Sequence, residues 1–305
     1  MNDLLLLAPE VRAALDAGTA VVALESTITT HGLPRPDNLE AARMSEAAVR
    51  EAGAVPATVA THDGRIRVGL SADELAELAD ARDIPKVSRQ NLAGALNRSG
   101  WGGTTVSATM IAAHLAGIGV FATGGIGGVH RGGESSMDIS ADLAELGRTP
   151  VTVVCAGPKS ILDVGRTLEV LETRGVPVVS IGSDEVAGFY SRSSGHPAPL
   201  RVEGPAEAAR LIATQRALGL ETGVLITVPL PPEIALPADE VHDAVEQAEA
   251  EAHAAAIHGP ASTPFVLGRV ADITEGRSVR ANLEIIARDA SVAGRIAVAL
   301  AAATS

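Results

Sequence analysis

The two lysines of this sequence, Lys86 and Lys159, are its most informative residues, because the other 22 of the 24 basic residues are arginines. A primary amine can lose its proton and form a Schiff base, whereas a guanidinium cannot. Lys159 follows the apolar run 151–155 and precedes a predicted helix. Ligands of open α/β sheets bind at that end of a strand. The pattern favours an amine nucleophile at Lys159; the alternative is two surface lysines present by chance.

Glu25 also follows a short apolar run, Val21–Leu24. A carboxylate at the end of a buried strand is either a structural charge with a partner or a general acid whose pKa is raised by burial. Position alone does not separate these two roles.

The glycine-rich segment 123–133 has the spacing of a phosphate-binding loop only in part. His130 stands where a dinucleotide fingerprint needs its third glycine, and the Lys-Ser/Thr ending of a nucleotide triphosphate loop is absent. Backbone amides beside His130 and Arg131 can still hold a phosphomonoester. The alternative is a tight loop without a ligand.

Asp138 and Asp142 stand four residues apart and share one face if the segment is helical. Such a pair can bind a hard divalent cation whose other ligands are water and substrate. The alternative is an exposed, acidic helix N-terminus.

The elements that must position these residues alternate along the chain, which predicts one α/β/α layered domain over residues 1–305 with a mixed, mostly parallel central sheet. Residues 183–199 are predicted to be a loop over the site. Strands are expected at 21–24, 57–61, 66–68, 119–123, 151–155, 176–181 and 223–228, the second and third forming a hairpin around 62–64. Helices are expected from 37 to about 51 and at 107–116, 140–146, 160–174 and 239–257.

Composition excludes several classes of protein. The net charge of −13 opposes binding to nucleic acid, and aromatic residues, at 2%, are too few to form stacking platforms for bases. One cysteine rules out an internal disulfide framework and a multi-cysteine zinc site. The uncharged stretch 99–129 is too rich in Gly, Ser and Thr for a membrane span. We therefore expect a cytoplasmic protein without nucleic-acid or membrane partners.

Seven ordered motifs, which together cover nearly the whole chain, closely resemble the pseudouridine-5′-phosphate glycosidase family, which includes the indigoidine synthase A-like proteins. The motifs are Ala23-Leu24-Glu25-Ser26-Thr27 with His31-Gly32 and Pro36, Val55-Pro56-Ala57-Thr58, Lys86-Val87-Ser88-Arg89, Gly102-Gly103-Thr104-Thr105-Val106, the run from Gly124 to Gly132, Met137-Asp138-Ile139-Ser140-Ala141-Asp142-Leu143, and Gly157-Pro158-Lys159-Ser160-Ile161-Leu162-Asp163.

The resemblance implies a role for each matching residue. Glu25 corresponds to the proton donor, Lys159 to the nucleophile and Asp138 to the residue that binds one Mn²⁺ per subunit. The substrate-binding positions that it implies are Lys86, Val106, Ser140, Ala141 and Asp142, to which the interpretation of the glycine-rich segment as a phosphate site adds His130. It also implies a homotrimer. The chain departs from the family pattern at Arg288-Asp289-Ala290, which stands where we expect an asparagine pair.

The activity implied is reversible cleavage of the C–C glycosidic bond of pseudouridine 5′-phosphate to uracil and ribose 5-phosphate, through a lysine iminium. Two other functions remain open from the residues. One is an aldolase-type reaction of the same lysine on another phosphosugar. The other is a regulator that binds a phosphosugar without catalysis, which would need neither an amine nucleophile nor a buried acid.

Overall fold

The strands of the protein are short, and those at the centre of the sheet are almost entirely buried. A computed structural model describes residues 3–255, 257 and 262–304. Within these residues the strands are β1 (Leu5–Leu7), β2 (Val21–Leu24), β3 (Val55–His62), β4 (Arg65–Val68), β5 (Lys86–Val87), β6 (Trp101–Thr104), β7 (Val120–Ala122), β8 (Val129–His130), β9 (Thr152–Cys155), β10 (Leu162–Asp163), β11 (Val178–Ile181), β12 (Leu200–Val202) and β13 (Val224–Thr227).

Helices occupy most of the segments between these strands. The described helices are α1 (Pro9–Asp16), α2 (Asp37–Glu51), α3 (Ala72–Asp80), α4 (Leu92–Ala95), α5 (Val106–Ala116), α6 (Gly133–Ser136), α7 (Ala141–Leu146), α8 (Val164–Thr173), α9 (Pro205–Ala217), α10 (Ala238–Ala254), α11 (Ser262–Ile273) and α12 (Arg277–Thr304). A π-helical turn covers Ile28–Gly32, and a 3₁₀ turn covers Arg89–Asn91.

The central sheet has the strand order β1-β4-β3-β2-β7-β9-β13-β11-β12, with β6 paired to β3 and β5 paired to β6. All of these pairs are parallel except β3–β4 and β3–β6. The predicted mixed, mostly parallel sheet is therefore confirmed. A separate antiparallel pair joins β8 to β10.

Helices cover both faces of the sheet, and alternate residues of its strands point to opposite sides. On one side Val153 packs in a core with residues of α1, α5, α7 and α8. On the other side Val154 packs with residues of α2, α9 and α12. The predicted α/β/α layering follows from this alternation. A third cluster joins α10 and α11 to the segment around Phe189.

Most predicted elements lie where the sequence placed them, and the exceptions lie near the candidate site. The hairpin forms with positive φ at Asp63 (44°) and Gly64 (78°), as a tight primed turn requires. The predicted helix 160–174 begins only at Val164, because Leu162–Asp163 pairs with β8. The predicted helix 239–257 covers Ala238–Ala254, and residue 256 lies outside the described residues.

None of the described helices is both long enough and apolar enough to cross a membrane.

Candidate active site

The candidate site forms where three neighbouring parallel strands end. Glu25 follows β2, Thr123 follows β7 and the segment 156–159 follows β9, and these strands are adjacent in the sheet. Their carboxyl ends therefore open into one cleft. The residues that line it are Glu25, Thr27, Ile28, His31, Gly32, Lys86, Thr123, Gly124, Gly125, Lys159, Phe189, Thr263, Pro264, Leu267 and Asn282.

Glu25 is a buried acid within this cleft, with 8% of its surface exposed. Burial raises the pKa of its carboxyl above the ordinary value, while the charge of Lys159 and a hydrogen bond donated by Thr123 Oγ1 oppose that rise. A carboxyl that keeps its proton towards neutral pH can serve as a general acid. Of the two roles left open by the sequence, the surroundings favour the acid.

Lys159 reaches the same cleft from a hydrogen-bonded loop rather than from a helix start. Its backbone N–H donates to Ile126 O (3.1 Å), and Ile126 N–H donates back to Gly157 O (3.1 Å). Helix α8 begins five residues later, at Val164. The expectation that Lys159 lies at a helix N-terminus was therefore wrong, because Leu162 and Asp163 are drawn into a strand instead.

Lys86, in β5, brings the second amine of the chain to the cleft. Burial lowers the pKa of its ammonium, and the charge of Lys159 lowers it further, whereas Glu25 and Asp142 oppose the shift. The two lysines are therefore close enough to repel each other. This arrangement gathers positive charge in a protein of net charge −13.

Some amides of the glycine-rich segment are used in internal hydrogen bonds. Gly127 N–H donates to Asp142 Oδ2 (2.9 Å) and His130 N–H to Asp138 O (3.0 Å). The glycines serve close packing instead: a Cβ on Gly125 would lie 2.6 Å from Phe189 Cε2, and one on Gly127 would overlap Ser140 Oγ. Part of the predicted loop is strand β8.

Asp142 is a buried structural carboxylate as well as a neighbour of the site. Its Oδ1 accepts from Ser107 N–H (3.0 Å) while Oδ2 accepts from Gly127 N–H. Both oxygens are thus held by the backbone. Val106 begins α5 beside Ser107, and Ser140 caps α7, whose first residue is Ala141. The structure therefore brings these predicted substrate-binding positions together next to Gly127, although none of them lines the cleft.

Asp138 and His130 are not part of the cleft lining. Helix α7 begins at Ala141, so the assumption that Asp138 and Asp142 share a helix face was wrong. Asp138 is exposed, and its carboxylate has no hydrogen-bond or ion-pair partner among residues 3–255, 257 and 262–304. The same residues contain no group of three or more His, Cys, Asp or Glu side chains suited to a metal ion. Asp138 can thus supply one ligand to a mostly hydrated cation.

Most residues of the cleft lining were absent from the predicted site, among them Thr123, His31, Phe189 and Asn282. His31 accepts or donates a hydrogen bond with Thr30 Oγ1 (2.7 Å), and burial lowers the pKa of its imidazole. Phe189 comes from the predicted loop 183–199 and has a positive φ of 64°, which is rare for an aromatic residue. That loop therefore contributes one wall of the cleft.

The chain departs from the family pattern at Arg288-Asp289-Ala290, and none of these three residues lines the cleft. Asp289 is 1% exposed on the face of α12 that packs on the sheet. The amide that reaches the cleft from α12 belongs to Asn282, two helical turns earlier. Because positions 282 and 289 are seven residues apart and share one helix face, the sequence pattern alone does not single out Asn282.

Comparison with known proteins agrees with this geometry. Residues 10–299 match the family model described as "Indigoidine synthase A like protein". The chain is 55% identical to the pseudouridine-5′-phosphate glycosidase of Paracoccus denitrificans, over 99% of this chain and 100% of that protein. It is 51% identical to the pseudouridine-5′-phosphate glycosidase of Deinococcus radiodurans, over 97% and 95% of the two chains.

Two solved structures are similar over almost the full chain. The prealnumycin C-glycosynthase AlnA, in complex with ribulose 5-phosphate, is 38% identical with a TM-score of 0.92, covering 100% of this chain and 99% of its own. An indigoidine synthase A-like protein from Thermotoga maritima is 34% identical with a TM-score of 0.87, covering 98% and 97%.

Proposed function

Because the chain belongs to the indigoidine synthase A-like family, we propose that it cleaves the C–C glycosidic bond of pseudouridine 5′-phosphate reversibly, giving uracil and ribose 5-phosphate. The observation that carries the proposal is that an amine, Lys159, and a buried acid, Glu25, lie in one cleft. Cleavage of a C–C bond to a sugar needs both groups. The bonding electrons must be received by the base, and the sugar carbon left behind must be stabilised.

Lys159 acts as the nucleophile. Its neutral Nζ forms a bond to C1′ as the C1′–O4′ bond breaks, and the proton that the attacking nitrogen loses passes to O4′, so that the ribose ring opens. The amine then holds the lone pair that later stabilises C1′ as an iminium. Arginine could not take this role, because its guanidinium stays protonated.

Glu25 acts as the general acid. It gives its proton to C5 of the uracil ring; the electrons of the C1′–C5 bond then restore the uracil double bond as the nitrogen lone pair forms the C1′=N iminium. Water adds to C1′ and releases ribose 5-phosphate and the free lysine. Burial raises the pKa of Glu25, which favours the protonated form that this step needs.

Uracil and the phosphate bind at different parts of the site. The amide of Asn282 and the imidazole of His31 can pair with the imide edge of uracil, while Phe189 and Leu267 exclude water. The 5′-phosphate is bound by Lys86, with Val106, His130, Ser140, Ala141 and Asp142 around it. The complex of AlnA with ribulose 5-phosphate supports a sugar phosphate as the ligand.

Mn²⁺ is part of the proposal, with Asp138 as its protein ligand and water completing the shell. Such an ion supplies positive charge that orients an anionic substrate. The fit rests on the free, exposed carboxylate of Asp138, since both oxygens of Asp142 are held by backbone amides. A homotrimer is the proposed oligomeric state, which light scattering measures.

The experiment that tests the function is incubation of the pure protein with pseudouridine 5′-phosphate. We expect free uracil to appear together with an equal amount of ribose 5-phosphate. The reverse reaction should consume both products. An aldolase-type enzyme would instead break a carbon–carbon bond within a phosphosugar and leave pseudouridine 5′-phosphate intact, and a regulator without catalysis would bind it and release nothing.

A further inference from the structure

Arg89 and Glu145 form an ion pair whose carboxylate is completely buried. Arg89 Nε donates to Glu145 Oε2 (2.5 Å) and Arg89 Nη2 to Oε1 (2.7 Å). The Glu145 side chain is 0% exposed, whereas that of Arg89 is 43% exposed. Thr149 Oγ1 and Arg148 Nη2 also donate to the same carboxylate. The pair has the two-point geometry that fixes both orientation and distance.

The Arg89 end of this pair is attached to the segment that carries Lys86. The 3₁₀ turn Arg89–Asn91 places Asn91 so that its Nδ2 donates to the carbonyl of Lys86 (3.0 Å). The same asparagine accepts through Oδ1 from Ser88 N–H (2.7 Å). The turn that bears Arg89 therefore fixes the backbone of Lys86 directly.

The Glu145 end is attached to the other side of the proposed phosphate subsite. Glu145 lies in α7, the six-residue helix that Ser140 caps and that contains Asp142. Asp142 in turn holds Ser107 N–H of α5 and Gly127 N–H of the glycine-rich segment. Arg89 N–H also donates to Ser107 Oγ (3.4 Å). The carboxylates of Glu145 and Asp142, both in α7, thus connect this helix to the segments that carry Arg89, Ser107 and Gly127.

We propose that Arg89 and Glu145 are positioning residues that fix the distance between Lys86 and the Ser140–Asp142 turn, and so set the preference of the enzyme for a 5′-phosphorylated substrate. This inference rests on the proposed function. Neither residue lines the cleft, so neither is proposed to touch the uracil or C1′. Loss of the two-point contact would let the Lys86 segment and α7 move apart, and displacement of a binding group by about 1 Å can weaken its effect up to about 100-fold.

Loss of a purely structural pair would weaken activity on all substrates equally. Loss of a pair that positions the phosphate subsite would weaken binding of the phosphorylated substrate alone. Arg89→Lys keeps the positive charge but loses the two-point contact of the guanidinium, and Glu145→Gln keeps the side-chain shape but loses the negative charge. We expect each variant to raise KM for pseudouridine 5′-phosphate about tenfold or more with little change in kcat. The kcat/KM for pseudouridine, which lacks the phosphate, should stay within about twofold of wild type. The double variant should lose little more than either single variant, because both break one interaction.

Arg50→Lys is the matched control. Arg50 makes an equally close two-point pair with Glu10 (2.5 and 2.8 Å), but that pair joins α1 to α2 outside the site. It should leave both substrates unaffected. Unchanged KM for the phosphorylated substrate in both Arg89→Lys and Glu145→Gln, or equal losses for both substrates, would overturn the inference.

Calorimetric titration with ribose 5-phosphate separates this inference from the proposed function. Wild type should bind ribose 5-phosphate at least about tenfold more tightly than Arg89→Lys does. Ribose, which lacks the phosphate, should bind with the same affinity to wild type and to both variants. Tight binding by wild type with no loss in either variant contradicts the positioning role and leaves the function intact. Failure of wild type to bind ribose 5-phosphate or release uracil would overturn the function, and this inference with it. Thermal unfolding of each variant shows that it is folded.

Discussion

Glu25 lies buried in the same cleft as Lys159, and the positive charge of the lysine only partly offsets the burial that raises the pKa of the glutamic acid. Burial therefore favours the protonated form of Glu25, next to the amine that the proposed reaction uses as its nucleophile. The proposed reaction needs a protonated acid and a neutral amine in the site at the same time. The following predictions test the arrangement one group at a time.

Lys159→Arg should lower turnover by roughly three orders of magnitude or more, because arginine keeps the charge but cannot form an iminium. Ribose 5-phosphate should still bind. In wild type, borohydride should trap an adduct with ribose 5-phosphate that mass spectrometry locates on the Lys159 peptide. Labelling of Lys86 instead, or appreciable activity of the variant, would mean that the two lysines have been assigned the wrong roles.

Glu25→Gln should still form the borohydride-trapped adduct with ribose 5-phosphate, yet release uracil about 100- to 10,000-fold more slowly, because the proton donor is lost. The pH dependence has a defined sign. Only the protonated acid is active, so kcat in wild type should fall as the pH rises through the raised pKa of Glu25. A kcat that rises across this range and stays high would contradict the role of Glu25 as the acid.

Lys86→Ala should raise KM for pseudouridine 5′-phosphate by about 10- to 100-fold, the effect expected for loss of one charge-assisted hydrogen bond. Pseudouridine should be little affected. Because burial lowers the pKa of Lys86, the wild-type KM should begin to rise with pH below the ordinary lysine value of 10.5. Equal losses for both substrates would assign Lys86 to another task.

Removal of metal by a chelator should abolish turnover, and added Mn²⁺ should restore it. Asp138→Asn should weaken the response to Mn²⁺, because its carboxylate is the proposed ligand. Asp142→Asn should instead lower thermal stability, since the Asp142 carboxylate holds two backbone amides. Full activity in chelator, with no metal in the purified protein, excludes this part of the proposal.

Asp289→Asn should stabilise the protein, and increasingly so as the pH rises. The Asp289 carboxyl is buried without a hydrogen-bond partner among the described residues, since the nearby Ala156 N–H is already donated to Gly124 O (3.0 Å). Burial raises its pKa well above the usual 3.8, although the charge of Arg288 and the Ala156 amide oppose the shift.

The folded protein therefore binds a proton that the unfolded chain releases above about pH 4. That difference lowers the unfolding free energy of wild type by about 1.4 kcal/mol per pH unit up to the raised pKa. The gap in Tm between Asp289→Asn and wild type should widen over this range. A constant gap, or a less stable variant, would show that Asp289 is not a buried neutral acid.

The local pattern of the sequence was enough to predict the sheet and the two groups at its edge. Apolar runs such as Val21–Leu24 and 151–155 can be buried on both faces only in a parallel sheet covered by helices, and the residues after such strands meet at one edge. Glu25 and Lys159 could therefore each be placed at the carboxyl end of a strand from the sequence. Their proximity in one cleft is what the structure adds.

Tertiary structure alone decided what surrounds them. Helix α8 starts at Val164 rather than 160 because Leu162 and Asp163 pair with β8, a contact between segments about 30 residues apart that no local periodicity encodes. The partners of Asp142 are likewise non-local, 35 and 15 residues away in Ser107 and Gly127. Asn282 and Asp289 are both polar residues of α12, so their residue types do not show which of them reaches the cleft. Only the packing of α12 decides which side chain reaches the cleft and which is buried in the core.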